Sequence, residues 1–269
     1  MNLAGVIPIA GQKLDFNFPW NDCMMPIAKD YVAVERAAVE CLYAGCKSIW
    51  IVCEPKQQPL IRYRLGDRLK DPNSFNRFGP NQERDVCIYY VPVRVADYVA
   101  RNSLIWSLLY GVLNAKKITG NISPYVVPEK FFVSFPMGVY QPYVTAKGRR
   151  HFKNRQKQIL LKHHGKTAMD GEHLGLTLTV EDAEYLSKVL KDRAYESSEK
   201  HAAKKYTLRD ILSSLELREE RVYVEVEEYY DISSWEGYKS YLGTSTIDLH
   251  RPKSLLLQKE WNGIGVDDE

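Results

Sequence analysis

The chain has 269 residues, of which 45% are hydrophobic and 26% are charged, and its formal net charge at pH 7 is +3. This length fits one large α/β domain, or such a domain with a sizeable insertion, and the composition allows a real hydrophobic core. The small net charge gives no argument for nucleic acid as a partner. No apolar stretch approaches the roughly 20 residues that span a bilayer, so no membrane partner is expected either.

The cysteines and the N-terminus predict the compartment. Five cysteines, an odd number with no CxxC spacing, favour a reduced intracellular setting. The first residues show neither the basic region nor the cleavage site of a signal peptide. We therefore expect a cytoplasmic protein.

The first predicted elements are a strand, a helix and a second strand. Residues 4–9 form a short apolar run, which is typical of a parallel strand covered on both faces. After a polar and aromatic loop, residues 32–45 carry apolar side chains at three- and four-residue steps, with Gly45 at the helix end. A second strand is predicted at 48–53. This order predicts a right-handed βαβ unit.

The remaining elements follow from the same patterns. Further strands are expected at 86–93, 131–135 and 138–144 and in the first half of 221–233. Further helices are expected near 58–69 and at 102–115, 179–192, 206–217 and 235–242, with Thr179 as an N-cap and Asp182 three residues later. Residues 71–84 predict an exposed loop.

Residues 147–166 are strongly basic. They hold eight lysines and arginines and three histidines but no acidic residue. A solvated helix face or a flexible insertion is the common explanation, and a site for sugar phosphate, nucleic acid or another polyanion is the alternative. Aromatic residues are sparse there, so stacking on bases is not indicated. A zinc site built from His163, His164 and His173 lacks a nearby cysteine and any standard spacing.

Three parts of the chain resemble one enzyme family. The first comprises IPIAG (7–11), MMPIA (24–28) and AGCKSIWIV (44–52), the second is FFVSFPMGVY (131–140), and the third is VEVEEYYDISSWEGYKSYL (224–242). In this order they are similar to segments of the sugar-phosphate nucleotidylyltransferases.

The resemblance implies the fold and the domain organisation. The family has a GT-A-like, Rossmann-related three-layer αβα sandwich with a mostly parallel sheet, so we expect that α/β fold here, with the basic segment inserted. A single nucleotidyltransferase-like domain is expected over 1–242, with the insertion near 145–205. A C-terminal tail is expected over 243–269.

The resemblance also implies a chemistry and its residues. The family joins a sugar phosphate to a nucleoside triphosphate and releases pyrophosphate, which requires backbone N–H groups, a cation and Mg²⁺ around the phosphates. The implied nucleotide-binding residues are Ala10, Gly11 and Gln12 in the first loop and Asn102 and Ser103 at the start of the second helix.

Two further residues are implied for catalysis and metal binding. The family's loop reads A-G-x-G-T-R, whereas this chain has AGQKLDFNFPW, so Lys13 is the nearest basic residue that could partly replace the arginine. Asp231 matches the family's second metal carboxylate and is the expected Mg²⁺ ligand. The family's first metal carboxylate is replaced, because Pro136 and Met137 stand where Gly-Asp is expected.

A second departure concerns the family's lysine before the hydrophobic-Pro-hydrophobic stretch. Asp22 or Cys23 stands at that position, and neither stabilises phosphate charge as an ammonium group does. Cys23 is also a poor candidate nucleophile, because no histidine pairs with it in the sequence and acidic residues lie in its loop.

Each candidate also has a purely structural interpretation. Gly11 would serve a tight strand-to-loop turn, and Lys13 would be a solvated loop lysine. Asn102 and Ser103 would cap the second helix, and Asp231 would cap the helix that follows it.

Three functions remain open from the sequence. The first is a nucleotidyltransferase-like protein with an altered or inactive site that binds a nucleotide or sugar phosphate. The second is an active enzyme in which Lys13, Asp231 with Mg²⁺ and a basic residue of 147–166 share the work. The third is a structural or interaction protein in a homo-oligomer or a larger assembly, for example a viral one, located in the host cytoplasm or the particle.

Overall fold

The computed structural model describes residues 2–11, 14, 21–72, 84–93, 103–152, 154, 156–199, 206–215, 220–252 and 255. Its strands are β1 Leu3–Pro8, β2 Pro26–Ala28, β3 Tyr31–Val32, β4 Ser48–Cys53, β5 Arg68–Lys70, β6 Asp85–Pro92, β7 Lys130–Val133, β8 Gly138–Val139, β9 Gln158–Lys162, β10 Leu176–Thr179, β11 Arg221–Glu225 and β12 Tyr230–Asp231. Its α-helices are α1 Ala33–Ala44, α2 Gln58–Leu65, α3 Leu104–Ile122, α4 Val144–Lys147, α5 Arg149–Phe152, α6 Val180–Glu199, α7 Leu208–Leu212 and α8 Trp235–Thr244.

A central sheet of eight strands organises the described part of the molecule, in the order β11-β9-β10-β7-β1-β4-β6-β5. Strands β6, β4, β1 and β7 run parallel to one another. Strands β5 and β10 are antiparallel to their neighbours, and β9 pairs with β11 in parallel. The predicted α/β class with a mostly parallel sheet is therefore confirmed.

The two faces of the sheet carry two separate hydrophobic cores. Ile49 and Ile51 of β4 lie in the core that contains α1, whereas Trp50 and Val52 lie in the core that contains α3. This alternation is the period of two that a strand imposes on its side chains. Helices on both faces give the three-layer arrangement.

Two glycines let the helices approach the sheet closely. A Cβ added to Gly5 on β1 would lie 2.6 Å from Cys41 Sγ on α1. A Cβ added to Gly111 on α3 would lie 2.6 Å from Cγ2 of Val52 on β4. Both layers therefore pack against the centre of the sheet at positions where only hydrogen fits.

A buried carboxylate ties the C-terminal segment to the domain. Glu35, in the first turn of α1, is fully buried and accepts hydrogen bonds from Arg64 Nη2 at 2.8 Å and from Arg251 Nη2 at 2.9 Å. The Val32 amide donates to the same carboxylate at 3.1 Å. Leu249 is also buried in the core on the α1 side, so this part of the C-terminal segment packs against the domain.

Several predicted elements differ from the structure. The strand expected over 138–144 consists only of Gly138–Val139, because a turn at Gln141–Tyr143 leads directly into α4. The helix expected to reach residue 69 ends at Leu65, where Gly66 adopts a φ of +67° and Arg68–Lys70 form an edge strand instead.

The lengths of two other helices were also predicted wrongly. The helix expected over 102–115 is Leu104–Ile122, since it continues until Ser123 and Pro124 interrupt it. The helix expected over 206–217 is limited to Leu208–Leu212 among the described residues. By contrast, the capping box of α6 is confirmed, with the Asp182 amide donating to Thr179 Oγ1 at 3.2 Å.

The glycine contact at the centre of the sheet predicts a stability difference. Gly5→Ala should lower the free energy of unfolding by about 1–3 kcal/mol, because the added methyl group overpacks the contact between β1 and α1. Urea denaturation measures this change. Gly243→Ala on α8 is the matched control, because a Cβ there meets nothing within 4 Å. Equal effects of the two substitutions would contradict the close packing described here.

Candidate functional site

The chain reverses its direction of travel across the sheet between β1 and β7. From β1 the chain passes through α1 to β4 on one side, and it returns through α3, on the opposite face, to β7 on the other side of β1. In open α/β sheets, ligands bind outside the carboxyl ends of the strands at such a switch point. The carboxyl ends of β1 and β7 therefore mark the candidate site.

The first loop leaves β1 in a defined conformation. The amide groups of Ile9 and Ala10 both donate to the Val52 carbonyl, at 2.8 and 3.0 Å. Gly11 follows with a φ of +82°, a left-handed conformation that favours glycine. The turn predicted at Gly11 is therefore present.

The same loop lies against the first turns of α3. The Ser107 hydroxyl donates a hydrogen bond to the Ala10 carbonyl. Ser103 caps the helix, and its side chain accepts a hydrogen bond from the Trp106 amide at 3.3 Å. The structure thus brings Ala10 next to the first turns of the helix, and it gives Ser103 a capping role. Gln12, Lys13 and Asn102 lie outside the described residues.

A fully buried ion pair between two residues of α1 contacts the segment that follows β7. Arg36 Nη1 is 3.2 Å from Glu40 Oε2, and both side chains have no exposed surface. Arg36 Nη2 donates to the Phe135 carbonyl at 2.7 Å, and the hydroxyls of Ser134 and Tyr140 donate to Glu40. The pair therefore fastens the segment after β7, where the resemblance locates the first metal carboxylate, to α1.

Asp231 lies farther along the same edge, paired with a histidine. Its Oδ2 is 3.0 Å from His173 Nδ1, and its Oδ1 accepts the Ser233 amide at 2.9 Å. The His173 amide donates to the Tyr229 hydroxyl at 2.9 Å. Asp231 stands opposite Gly138 in the short pairing of β12 with β8. Nothing in the sequence indicated His173 as the partner of Asp231.

These contacts determine the charge state of Asp231. Burial acts to raise its pKa, but the hydrogen bond and the charge of His173, together with the bonds from Ser233, outweigh burial and lower the pKa below its ordinary value. The carboxylate is therefore ionised at neutral pH and serves as an acceptor for both partners. The helix after it is capped by Ser234, whose Oγ accepts the Gly237 amide at 3.0 Å, rather than by Asp231.

The segment after β7 offers no acidic ligand to a metal ion. Pro136 and Met137 follow Phe135 in this turn, and the Ser134 hydroxyl is directed into the buried cluster. Across the part of the chain that the structure describes, no group of three or more His, Cys, Asp or Glu side chains is arranged to hold a metal ion. The zinc site considered for His163, His164 and His173 is therefore not formed.

The basic segment is not the free positive surface that its sequence suggests. Part of it, Gln158–Lys162, is strand β9, which is largely buried, and four of its described basic side chains pair with acidic residues. These ion pairs are Lys147–Glu227 at 3.7 Å, Arg149–Asp71 at 3.3 Å, Lys162–Glu225 at 3.1 Å and Lys166–Glu172 at 3.2 Å. The expectation of a solvated helix face or flexible insertion is corrected for β9, because its apolar side chains complete the sheet.

The end of the basic segment reaches the same edge of the sheet as the candidate site. His163 and Lys166 exchange backbone hydrogen bonds at 3.0 and 2.9 Å, closing a two-residue turn. The two central residues, His164 and Gly165, have φ values of +47° and +84°. The His163 ring lies 5.7 Å from the Tyr229 ring, which links this turn to the surroundings of His173.

Cys23 is not activated as a nucleophile. Burial, with smaller contributions from Cys53 and Asp22, raises the pKa of its thiol to about 12. The thiol therefore stays protonated at neutral pH, and only a thiolate reacts readily.

No protein-family model and no curated protein matches the chain. Solved structures do match. One is the crystal structure of a Bacillus anthracis protein, assigned as a glucose-1-phosphate thymidylyltransferase, in complex with sucrose. It has a TM-score of 0.60 and 11% sequence identity, and the match covers 94% of this chain and 99% of that protein. UDP-glucose pyrophosphorylase in complex with UDP-glucose has a TM-score of 0.54 at 18% identity, covering 97% and 100%. At these identities the matches show the fold alone, and that fold is the one of the sugar-phosphate nucleotidylyltransferases.

No helix in the described ranges is long and apolar enough to cross a membrane.

The pairing of Asp231 predicts a pH dependence of stability. Because its pKa is lowered in the folded protein, its contribution is complete above the ordinary aspartate pKa of about 3.9 and is lost as the pH falls through the lowered value. Asp231→Asn should therefore be less stable than the wild type at neutral pH, and the difference should shrink below about pH 4. Denaturant unfolding across the pH range measures this. Glu227→Gln, at a largely exposed carboxylate, is the control, and a pH-independent difference for Asp231→Asn would contradict the assignment.

The buried ion pair predicts a large and non-additive loss of stability. Glu40→Ala should cost about 3–5 kcal/mol, because it leaves the Arg36 charge buried without its partner. The double variant Arg36→Met/Glu40→Leu should cost less than the sum of its two component changes, Arg36→Met and Glu40→Leu. Chemical denaturation measures all four variants. Glu184→Ala is the control, since it breaks a surface pair with Lys116 in which both side chains are about half exposed, and an equal loss there would refute the role of burial.

Proposed function

We propose that the chain is a nucleotidyltransferase-like protein that binds a nucleotide, nucleotide sugar or sugar phosphate at the carboxyl edge of β1 and β7, with an altered site that does not carry out transfer. The observation that carries this proposal is the contrast between the end of β1 and the end of β7 at the same edge of the sheet. The turn at Gly11 and the start of α3 stand next to each other at the switch point. The segment after β7 carries Pro136 and Met137 and is fastened by buried side chains.

The nucleotide would lie against the first loop. Backbone N–H groups at a strand-to-helix turn and the positive end of a helix both favour a phosphate or a base edge. The nucleotide-binding residues that we propose are Ala10, Gly11, Gln12, Asn102 and Ser103. Lys13 is the proposed phosphate contact and the only basic residue that the resemblance offers in this loop.

Loss of transfer follows from the charges that the reaction needs. Phosphoryl transfer depends on cations that neutralise the phosphate oxygens in the transition state. The arginine of the family's loop and its later lysine have no counterpart at the corresponding positions of this sequence. Binding needs fewer of these groups than catalysis does, because only interactions that are stronger in the transition state accelerate a reaction.

The ligand class can be tested by thermal unfolding. UDP-glucose, which is bound in one of the similar solved structures, is the first probe, followed by nucleoside triphosphates and glucose 1-phosphate. A ligand present at about 100 times its Kd stabilises the native state by about 2.7 kcal/mol, so the Tm should rise by several degrees. No rise with any of these compounds would refute the proposed binding.

A matched pair of variants tests the position of the ligand. Gly11→Asn and Gly11→Asp have nearly the same size, and both residues tolerate a left-handed backbone better than most. Only the aspartate places a negative charge beside the bound phosphates, so Gly11→Asp should bind about tenfold more weakly than Gly11→Asn. Equal Kd values from calorimetry would place the ligand elsewhere.

The same samples decide between binding and transfer. A coupled assay for pyrophosphate, run with each nucleoside triphosphate and sugar 1-phosphate in the presence of Mg²⁺, should give no release above the uncatalysed rate. Release that disappears in Asp231→Ala would establish the active enzyme instead.

A further inference from the structure

Asp231 is the one carboxylate that the resemblance leaves for a metal ion, yet both of its oxygens already have partners. Oδ2 faces His173 Nδ1 at 3.0 Å and Oδ1 accepts the Ser233 amide at 2.9 Å. A proton on Nδ1 therefore lies between the imidazole and the carboxylate. A metal ion on Oδ2 would have to share that oxygen with the His173 hydrogen bond and take its remaining ligands from elsewhere.

The surrounding backbone holds this pair in place from two sides. A Cβ added to Gly138 would overlap the His173 carbonyl oxygen, and a Cβ added to Gly237 would overlap the Asp231 carbonyl oxygen. The Tyr229 hydroxyl accepts the His173 amide, and the Phe135 ring packs edge-on against the imidazole at 5.7 Å. Neither residue can move away without displacing a packed strand or turn.

The described side chains around Asp231 offer few of the oxygen ligands that Mg²⁺ takes, and no group of three or more His, Cys, Asp or Glu side chains among the described residues is arranged to hold a metal ion. Mg²⁺ requires near-ideal octahedral oxygen coordination and is usually held by one or two carboxylates together with phosphate oxygens. The residues in contact with Asp231 and His173 supply an imidazole, an aromatic hydroxyl and a phenylalanine ring, whereas the turn after β7 supplies Pro136 and Met137. The Asp231 carboxylate faces the imidazole, and the neighbouring Glu172 carboxylate is paired with Lys166 at 3.2 Å.

We propose that Asp231 acts as the hydrogen-bond partner and counter-charge of His173, a positioning role, and that phosphate-bearing ligands bind at this edge without a divalent metal ion. In this arrangement a proton, rather than a metal ion, lies between the side chains of His173 and Asp231. The second part of this proposal rests on the proposed function, whereas the pairing itself does not.

The first test measures the Kd of UDP-glucose by calorimetry in EDTA, in Mg²⁺ and in Mn²⁺. Because the proposal leaves no metal ion in the binding site, the Kd of UDP-glucose should agree within about twofold among the three solutions. Binding at least about tenfold tighter with either metal, and lost in Asp231→Asn, would overturn the proposal. Glu227→Gln, a nearby exposed acid, is the control for general loss of charge.

The second test needs no nucleotide ligand. Mn²⁺ alone is titrated into the full chain and followed by electron paramagnetic resonance, in the wild type, Asp231→Asn and Glu227→Gln. The expected number of bound Mn²⁺ ions is the same in all three, and a site lost only in Asp231→Asn would overturn the proposal. If UDP-glucose does not bind under any condition, the proposed function fails. The Mn²⁺ titration and the NMR measurement described next still decide the role of Asp231.

The third test observes the pairing directly. In nitrogen-detected NMR of the imidazoles, His173 should carry its proton on Nδ1 in the wild type, and this preference should be lost in Asp231→Ala. The hydrogen bond to Asp231 is the reason to expect this tautomer, and the spectrum distinguishes it from the other one. An unchanged tautomer in a folded Asp231→Ala variant would refute the positioning role.

Discussion

The ion pair between Arg36 and Glu40 is the interaction on which the organisation of the binding edge depends. Two charges without exposed surface are stable only when every partner is present, because an uncompensated charge in a low dielectric costs several kcal/mol. The partners here come from the segment after β7, through the Ser134 and Tyr140 hydroxyls and the Phe135 carbonyl. The pair thus forces that segment into one conformation. This conformation sets the position of β8, which pairs with β12 and so positions Asp231.

Several charged groups near this edge of the sheet are paired with groups of opposite charge. In the basic segment, Arg149 and Lys162 pair with Asp71 and Glu225, which lie far away in sequence, and Lys166 pairs with the nearby Glu172. A surface of this kind leaves little net field to neutralise several phosphates at once. The described part of this edge, at Asp231 and after β7, presents backbone groups and side chains that are neutral or paired.

The sequence predicts the first βαβ unit because each of its patterns is local: a short apolar run, a helical spacing and a glycine at the helix end. The capping box at Thr179 and Asp182 was predictable for the same reason. The buried ion pair was not, because Arg36 and Glu40 occupy the positions of α1 between its apolar residues, which a helical pattern assigns to solvent. The pairing of His173 with Asp231 joins residues 58 positions apart, and no spacing rule connects them. Contacts of this kind depend on residues that are distant in the chain, so local sequence patterns do not predict them.

The burial of Glu35 has a consequence for how the protein is made. This carboxylate lies in the first turn of α1, near the beginning of the chain, yet one of its two arginine partners is Arg251, close to the end. During synthesis from the N-terminus, the core around α1 exists long before Arg251 has been added to the chain. Until then the Glu35 carboxylate has Arg64 as its only arginine partner, so the domain reaches its final stability only after Arg251 has been added. A ribosome stalled shortly before that point would carry a nascent chain with most of its sheet but without its last electrostatic contact.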